Sequence, residues 1–227
     1  LAGSALMIRS VVNLLAIDFG ISTARVLNAA LTLRQHRYPD AASRAAVFDR
    51  IATSVAAVSG VQSVGLTTSW PLQQPRVVPI ETAGSADRVS VRSGIHGVSQ
   101  GYFETLEIPL VAGRVFGSAD RLGAAPVAIV SESLARRLWP SGPAVGGRLV
   151  APQEQERGEP IPVQRTVVGV VRDVKQSPAD ADLADVHVLV DAGTEAGVHV
   201  VAVWVDEILW WKAPELPLVE ERLVRQR

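Results

Sequence analysis

The side chains here that could serve as bases, nucleophiles or metal ligands are four histidines, the carboxylates and the serines, since cysteine is absent. Without cysteine there can be no disulfide, no thiolate metal site and no thiol nucleophile. His36, His96, His187 and His199 lie far apart in sequence, and none has the i, i+4 His or carboxylate partner of a helical zinc motif. They are therefore expected to be exposed or singly hydrogen-bonded. Glu132, Asp173, Asp206 and Glu207 are the carboxylates best placed to pair for hydrolysis, yet each falls at a predicted helix start or strand end, where capping explains it. No serine sits in a G-x-S-x-G elbow. The turn after the first predicted strand, Arg34-Gln-His-Arg-Tyr-Pro-Asp40, lacks the glycines a dinucleotide needs. The cluster Gly142, Gly146 and Gly147 runs into Arg148-Leu149 rather than Lys-Ser or Lys-Thr, so it is not a phosphate loop. These residues predict no enzyme activity, cofactor or metal, and leave any binding site unassigned.

Composition agrees with a domain rather than a tail. The 227 residues are 48% hydrophobic and 20% charged, enough for one good-sized core or two smaller ones. Twenty-two basic residues balance 23 acidic ones, and no basic block stands out, which argues against a nucleic-acid partner. Only Lys175 and Lys212 are lysines; the arginine and alanine bias suggests a GC-rich genome.

The elements that must position these side chains can be read from periodicity. Leu1 to Leu15 is apolar apart from Ser4, Arg9, Ser10 and Asn13. Only eight residues precede Arg9, short of the about 20 that a membrane span requires. Two readings stand, an amphipathic helix or the last turns of a transmembrane helix with Arg9 at the interface. Leu27, Ala29, Leu31 and Leu33 alternate as in a half-buried strand. Tyr38-Pro39-Asp40 predicts a turn and helix start, and Val47, Phe48, Ile51, Val55 and Val58 share a helical face from which Arg44, Asp49 and Arg50 are excluded. Ser59-Gly60 should stop that helix, and Val61 to Thr68 should form a second strand, completing a β-α-β unit with a right-handed crossover.

Short strands dominate the middle. Val77 to Glu81 and Asp87 to Ile95 flank a Gly84-Ser85 turn. Ser99 is expected to cap a short helix that turns Tyr102, Phe103 and Leu106 into the core, and Gly113-Arg114 marks the next turn. Val127 to Val130 is a buried strand, and Ser131 caps a helix carrying Leu134, Leu138 and Trp139, stopped by Pro140. Gly147 to Val150 and Arg165 to Val171 should pair across the polar loop 151–162, whose Glu154, Glu156 and Glu159 read as a solvated tip.

Four ordered blocks carry a family resemblance: Val98-Ser-Gln-Gly-Tyr-Phe-Glu-Thr-Leu-Glu-Ile-Pro-Leu110, Gly113-Arg114, Pro126 to Pro140 with its Arg-Arg-Leu-Trp-Pro ending, and Thr166-Val-Val-Gly-Val-Val-Arg-Asp-Val174. Together with Arg9-Ser10, the Tyr-Pro-Asp turn and Gly60-Val-Gln-Ser-Val-Gly65, this series resembles the extracytoplasmic core domain of MacB-like, FtsX-like permeases over roughly residues 1 to 190. The resemblance implies an α+β fold of two lobes. A porter-like β-α-β lobe would be built from 24–72 and 183–227, a mostly β lobe with short helices from 73–182, and residues 1–23 would end a transmembrane or juxtamembrane helix. It also implies a non-catalytic domain facing the periplasm or cell exterior from a bacterial cytoplasmic membrane. Such a domain relays conformational change or docks partners during export. Implied partners are transmembrane helices of the same polypeptide, a separate nucleotide-binding ATPase subunit, an adaptor or outer-membrane duct in some members, and a second copy in a homodimer.

The carboxyl end departs from this pattern. After Val186 to Val190 and a strand over Val198 to Val205, Asp206 to Ala213 leaves room for about two helical turns where the family has a long helix. Trp204, Trp210 and Trp211 would fill that space or form an interface patch. The main rival reading is a free-standing periplasmic ligand- or peptide-binding module using the cleft between lobes, with an unrecognised hydrolase third.

Overall fold

The computed structural model describes residues 20–21, 26–31, 38, 40–69, 76–84, 89–120, 124–153, 159–174, 184–189 and 199–205. The amino-terminal segment 1–19, His36 and the carboxyl-terminal segment from Asp206 onward, including Glu207, Trp210 and Trp211, lie outside these residues. Among the described residues no helix is long and apolar enough to cross a membrane. The fold is α+β, mostly strands with few helices.

Helix α1 (Ala41–Ala56) begins as the sequence demands. Asp40 accepts the Ser43 N–H through Oδ1 at 2.7 Å, and the Ser43 hydroxyl returns a bond to the Asp40 carbonyl at 2.8 Å. Its inner face buries Val47, Phe48 and Ile51 against Leu66. Arg44, expected off that face, is 7% exposed and donates to the Tyr38 carbonyl at 3.0 Å. The reason is spacing: position 44 lies one turn before 47 and 48 and shares their stripe. The helix ends at Ala57 in right-handed geometry, so Gly60, at φ 90°, turns the chain into the next strand rather than capping the helix.

Strands β1 (Val26–Leu31) and β2 (Val61–Thr67) flank α1 in sequence but are not neighbours. Strand β10 (His199–Val205) lies between them, antiparallel to both. The unit is a split β-α-β in which the last described strand supplies the centre. Leu27 is 38% exposed on this outer strand.

The remaining strands close on themselves. Strand β4 (Ser90–Val98) pairs with β3 (Arg76–Thr82), β3 with β7 (Arg148–Gln153), and β7 with β8 (Ile161–Val171). Strand β8 runs parallel to β6 (Val127–Ser131), β6 antiparallel to β9 (Asp185–Leu189), and β9 parallel to β4 again. Six strands therefore form a closed ring, which leaves no open edge in the circuit. Strand β5 (Leu110–Gly113) adds beside β8 outside it. The predicted β7–β8 hairpin is longer than expected, pairing out to Gln153 and Ile161, because the two prolines Pro152 and Pro162 face each other and neither position requires an N–H donor.

Val78, Ile80, Ala128, Val130, Leu149, Ala151, Val167 and Val186 form one apolar cluster with Leu134 and Leu138 of α3 (Glu132–Leu138), which packs against β4, β6, β8 and β9. A second cluster lies on the opposite face of the same strands: Val98, Ile129, Val171 and Phe116 with Tyr102, Phe103 and Leu106 from the helix α2 (Tyr102–Thr105) and the turn after it. Alternation along β4, β6 and β9 assigns side chains to the two clusters in turn. The slip between Ala128 and Ile129 against β8 lets β8 contribute Val167 and Val170 to one cluster and Val171 to the other.

Candidate functional site

The sheet β1-β10-β2 meets the ring where β2 touches β4, and the ladder there is a single residue pair, Thr67 with Val98. Flanking bonds reinforce it. The N–H groups of Thr68 and Ser99 donate to the carbonyls of Gly97 and Leu66, each at 2.9 Å. Gly97 N–H donates to Thr68 Oγ1 at 3.0 Å, and Leu66 N–H donates to Ser99 Oγ at 2.8 Å. Ser99 was expected to cap α2; its hydroxyl is engaged across the junction instead, and Gly101 takes the cap position without a side-chain bond. Helix α2 lies directly on β2. A Cβ on Gly65 would come within 2.7 Å of Tyr102 Cα, and one on Gly101 within 2.3 Å of the Val64 carbonyl oxygen.

Beneath α2 the junction holds a buried polar cluster. His96 on β4 and His187 on β9 are directly opposite in the parallel register, each 1% exposed. Their rings stack with centroids 5.3 Å apart and planes inclined by 30°. His96 Nδ1 lies 2.7 Å from Ser69 Oγ, just beyond β2, and His96 Nε2 lies 3.3 Å from Asp185 Oδ1 on β9. Which of Ser69 Oγ and His96 Nδ1 donates is set by the imidazole tautomer. Phe103 meets His187 edge-on at 5.1 Å, and Tyr102 lies 5.9 Å from it.

Burial dominates the electrostatics. It holds His187 well below the ordinary imidazole value, and the neighbouring His96 lowers it further. The Tyr102 phenol is raised by burial and then by the Asp185 charge, so it stays neutral. His187 Nδ1 is buried with no hydrogen-bond partner among the described residues. Asp185 is anchored through its N–H to Ser131 Oγ at 3.0 Å, the same hydroxyl that caps α3 through Leu134 N–H at 3.4 Å.

Serine, histidine and aspartate in series are also the parts of an acyl-transfer triad. Here the imidazole is 1% exposed. A depression of about 450 Å³ on the outer side of α2, lined by Gln100, Phe103, Glu104, Glu107, Ile108 and Phe116 among others, includes none of the three. The arrangement orients and holds the junction; it does not present a nucleophile. Among the described residues no group of three His, Cys, Asp or Glu side chains is placed to hold a metal ion.

His96 and His187 are buried rather than exposed, and they converge from distant positions. Sequence distance concealed their convergence; the available signal was a histidine between apolar or small neighbours in each of two strands, Ile95 and Gly97 around one and Val186 and Val188 around the other. The side chain of His199 lies outside the described residues. Asp173 acts as the capping argument requires, with Oδ1 accepting from Ser133 N–H and hydroxyl, each at 2.8 Å, and Oδ2 3.4 Å from Arg136. Glu132 opens α3. Gly146 has φ 86° in the turn before β7.

A ring of strands, a split β-α-β sheet and a polar cluster sealed at their junction define a structural domain of the α+β class. The chain belongs to the family of the MacB-like periplasmic core domain, whose model matches residues 8–208. Among solved structures, the periplasmic region of MacB from Actinobacillus actinomycetemcomitans is 16% identical, with a TM-score of 0.57, over 91% of this chain and 86% of that one. The extracellular domain of the noncanonic ABC-type transporter YknZ from Gram-positive bacteria is 17% identical over 72% of this chain and 75% of that one, with a TM-score of 0.47. A domain of a permease protein from Porphyromonas gingivalis is 17% identical over 75% of this chain and 73% of that one, at 0.48. No curated protein matches the sequence.

Proposed function

We propose that this chain is the extracytoplasmic, non-catalytic domain of a MacB-like, FtsX-like ABC transporter permease, and that it relays conformational change or docks partners during export. The observation that carries the reading is the pairing of Val26, at the start of β1, with Trp204, near the end of β10. The first and last described strands are antiparallel neighbours, so a polypeptide that leaves a membrane and returns to it can do so at adjacent points. Motion of flanking transmembrane helices would then act on one small sheet, and the junction would transmit it to the ring.

In this reading there are two lobes. The porter-like lobe comprises 24–72 and 183–227, the inserted lobe 73–182, and residues 1–23 lead in from the membrane. Strand β9, on the porter-like side of that division, is hydrogen-bonded to β4 and β6, so we draw the inserted lobe on to Leu189. Partners are transmembrane helices of the same polypeptide, a separate nucleotide-binding ATPase subunit, a periplasmic adaptor or outer-membrane duct, and a second copy of the chain. The domain would face the periplasm or the cell exterior from the cytoplasmic membrane.

The test is the full gene product. Apolar runs of about 20 residues on both sides of the domain, with co-purification of an ATPase subunit from detergent, are the expected result. A product with neither would overturn the transporter reading and favour a free-standing binding module.

A further inference from the structure

We propose that buried His187, stacked on His96, is a proton-operated latch: the junction between the β1-β10-β2 sheet and the ring stays closed while His187 is neutral, and opens when it takes up a proton. This is a property of the domain itself and stands apart from the transport reading.

The junction is built to yield. Strands β3 and β4 share six register pairs, whereas β2 and β4 share one. His96 is a bolt across that narrow contact, reaching Ser69 on the sheet side and Asp185 on the ring side. The lid over His187 bridges both sides: α2, which carries Tyr102 and Phe103, lies on β2 at Gly65 and Gly101 and packs with Val98, Ile129 and Val171 of the ring. Separating β2 and α2 from the ring would therefore uncover His187.

The surroundings of His187 favour its neutral form. Among the described residues, the groups facing the pair are Asp185 from β9, the neutral phenol of Tyr102 from α2 and the hydroxyl of Ser69; Phe103 faces it from α2 as an apolar wall, and Ile129 of β6 is the register partner of His187. The carboxylate among them, Asp185, is in contact with His96. A proton on His187 would charge a buried ring whose Nδ1 lacks a hydrogen-bond partner among the described residues. Hydration of His187 removes that penalty, and it requires the lid to lift.

The experiment is amide hydrogen exchange on the 227-residue chain at pH 7.5 and 5.5, corrected for intrinsic exchange rates. The junction reporters are Leu66, Thr68, Gly97 and Ser99; the ring reporters are Thr166 and Val167, whose N–H groups donate to Pro126 and Gly147. Junction protection is expected to lie below ring protection at both pH values and to fall about tenfold per pH unit below the ordinary imidazole value. His187→Phe should abolish the fall. Constant junction protection, junction protection equal to that of the ring, or an unchanged fall in His187→Phe would each overturn the latch. Should that variant not fold, imidazole titration of the wild-type chain decides: protonation of His187 at the ordinary value with the junction still protected also overturns it.

Discussion

Gly101 is pressed against Val64: a Cβ at position 101 would lie 2.3 Å from the Val64 carbonyl oxygen. Its φ of −79° is open to any residue, so the demand for glycine is steric rather than conformational. Gly101→Ala must lift α2 from β2, and should cost about 2 kcal/mol, in the range of overpacked sites. Gly142→Ala, with nothing near its Cβ, is the control. Urea unfolding of the two variants makes the comparison.

Stability should depend on pH through His187. Its folded-state affinity for protons is below that of the unfolded chain, so between the folded value and the unfolded value of 6.5 the unfolded state binds more protons. Unfolding free energy is then at its full value above pH 6.5 and falls with acidification, by about 1.4 kcal/mol per pH unit for one such group. Denaturant midpoints at pH 7.5, 6.5 and 5.5 measure the slope, and His187→Phe should flatten it.

Arg165 lies 5% exposed, with its guanidinium on neutral oxygens: the Ala151 carbonyl at 2.7 Å, the Val163 carbonyl at 3.3 Å and Gln153 Oε1 at 3.3 Å. Burial lowers its pKa to about 10. A buried cation held this way contributes little net stability, so Arg165→Met should lie within about 1 kcal/mol of the wild type. Arg165→Ala, which removes the packed stem as well, should cost about 2 to 3 kcal/mol. Thermal unfolding that ranks alanine at or above methionine would contradict this.

Asp173 joins the end of β8 to the start of α3 across 40 residues. Asp173→Ala leaves the Ser133 N–H and hydroxyl without their acceptor and should destabilise by about 1 kcal/mol, the usual worth of a helix amino-terminal cap. Asp173→Asn retains an acceptor oxygen and should recover about half of the loss. Calorimetric midpoints of the three proteins give the answer.

Local chemistry made part of the fold legible. The Asp40 and Ser131 caps, the apolar stripe of α1 and the short strands β3, β4 and β8 depend on residues within a turn or a strand of each other. The family blocks fall on the same elements. What sequence could not show depends on residues brought together from a distance: the insertion of β10 between β1 and β2, closure of the ring by β9, and the meeting of His96 with His187. Ser99 was misassigned because a hydroxyl just before a helix has a local use as a cap, and a non-local acceptor role leaves no trace in spacing. Arg44 was misplaced because charge was weighed above helical position.

The closure of the ring bears on the order in which this chain can fold. The bond from the Ser93 hydroxyl to the Ala184 carbonyl spans 91 residues, and the strand that separates β1 from β2 is the last one described. Neither the ring nor the small sheet can be completed from the amino-terminal half alone. A chain emerging from a ribosome or translocon would carry β1, β2 and β4 with open hydrogen-bonding edges until the carboxyl-terminal strands follow. Such non-local pairing makes for slow folding and a long interval of vulnerability to aggregation. Holding the nascent strands apart until the chain is complete is therefore a demand that the topology itself places on the cell.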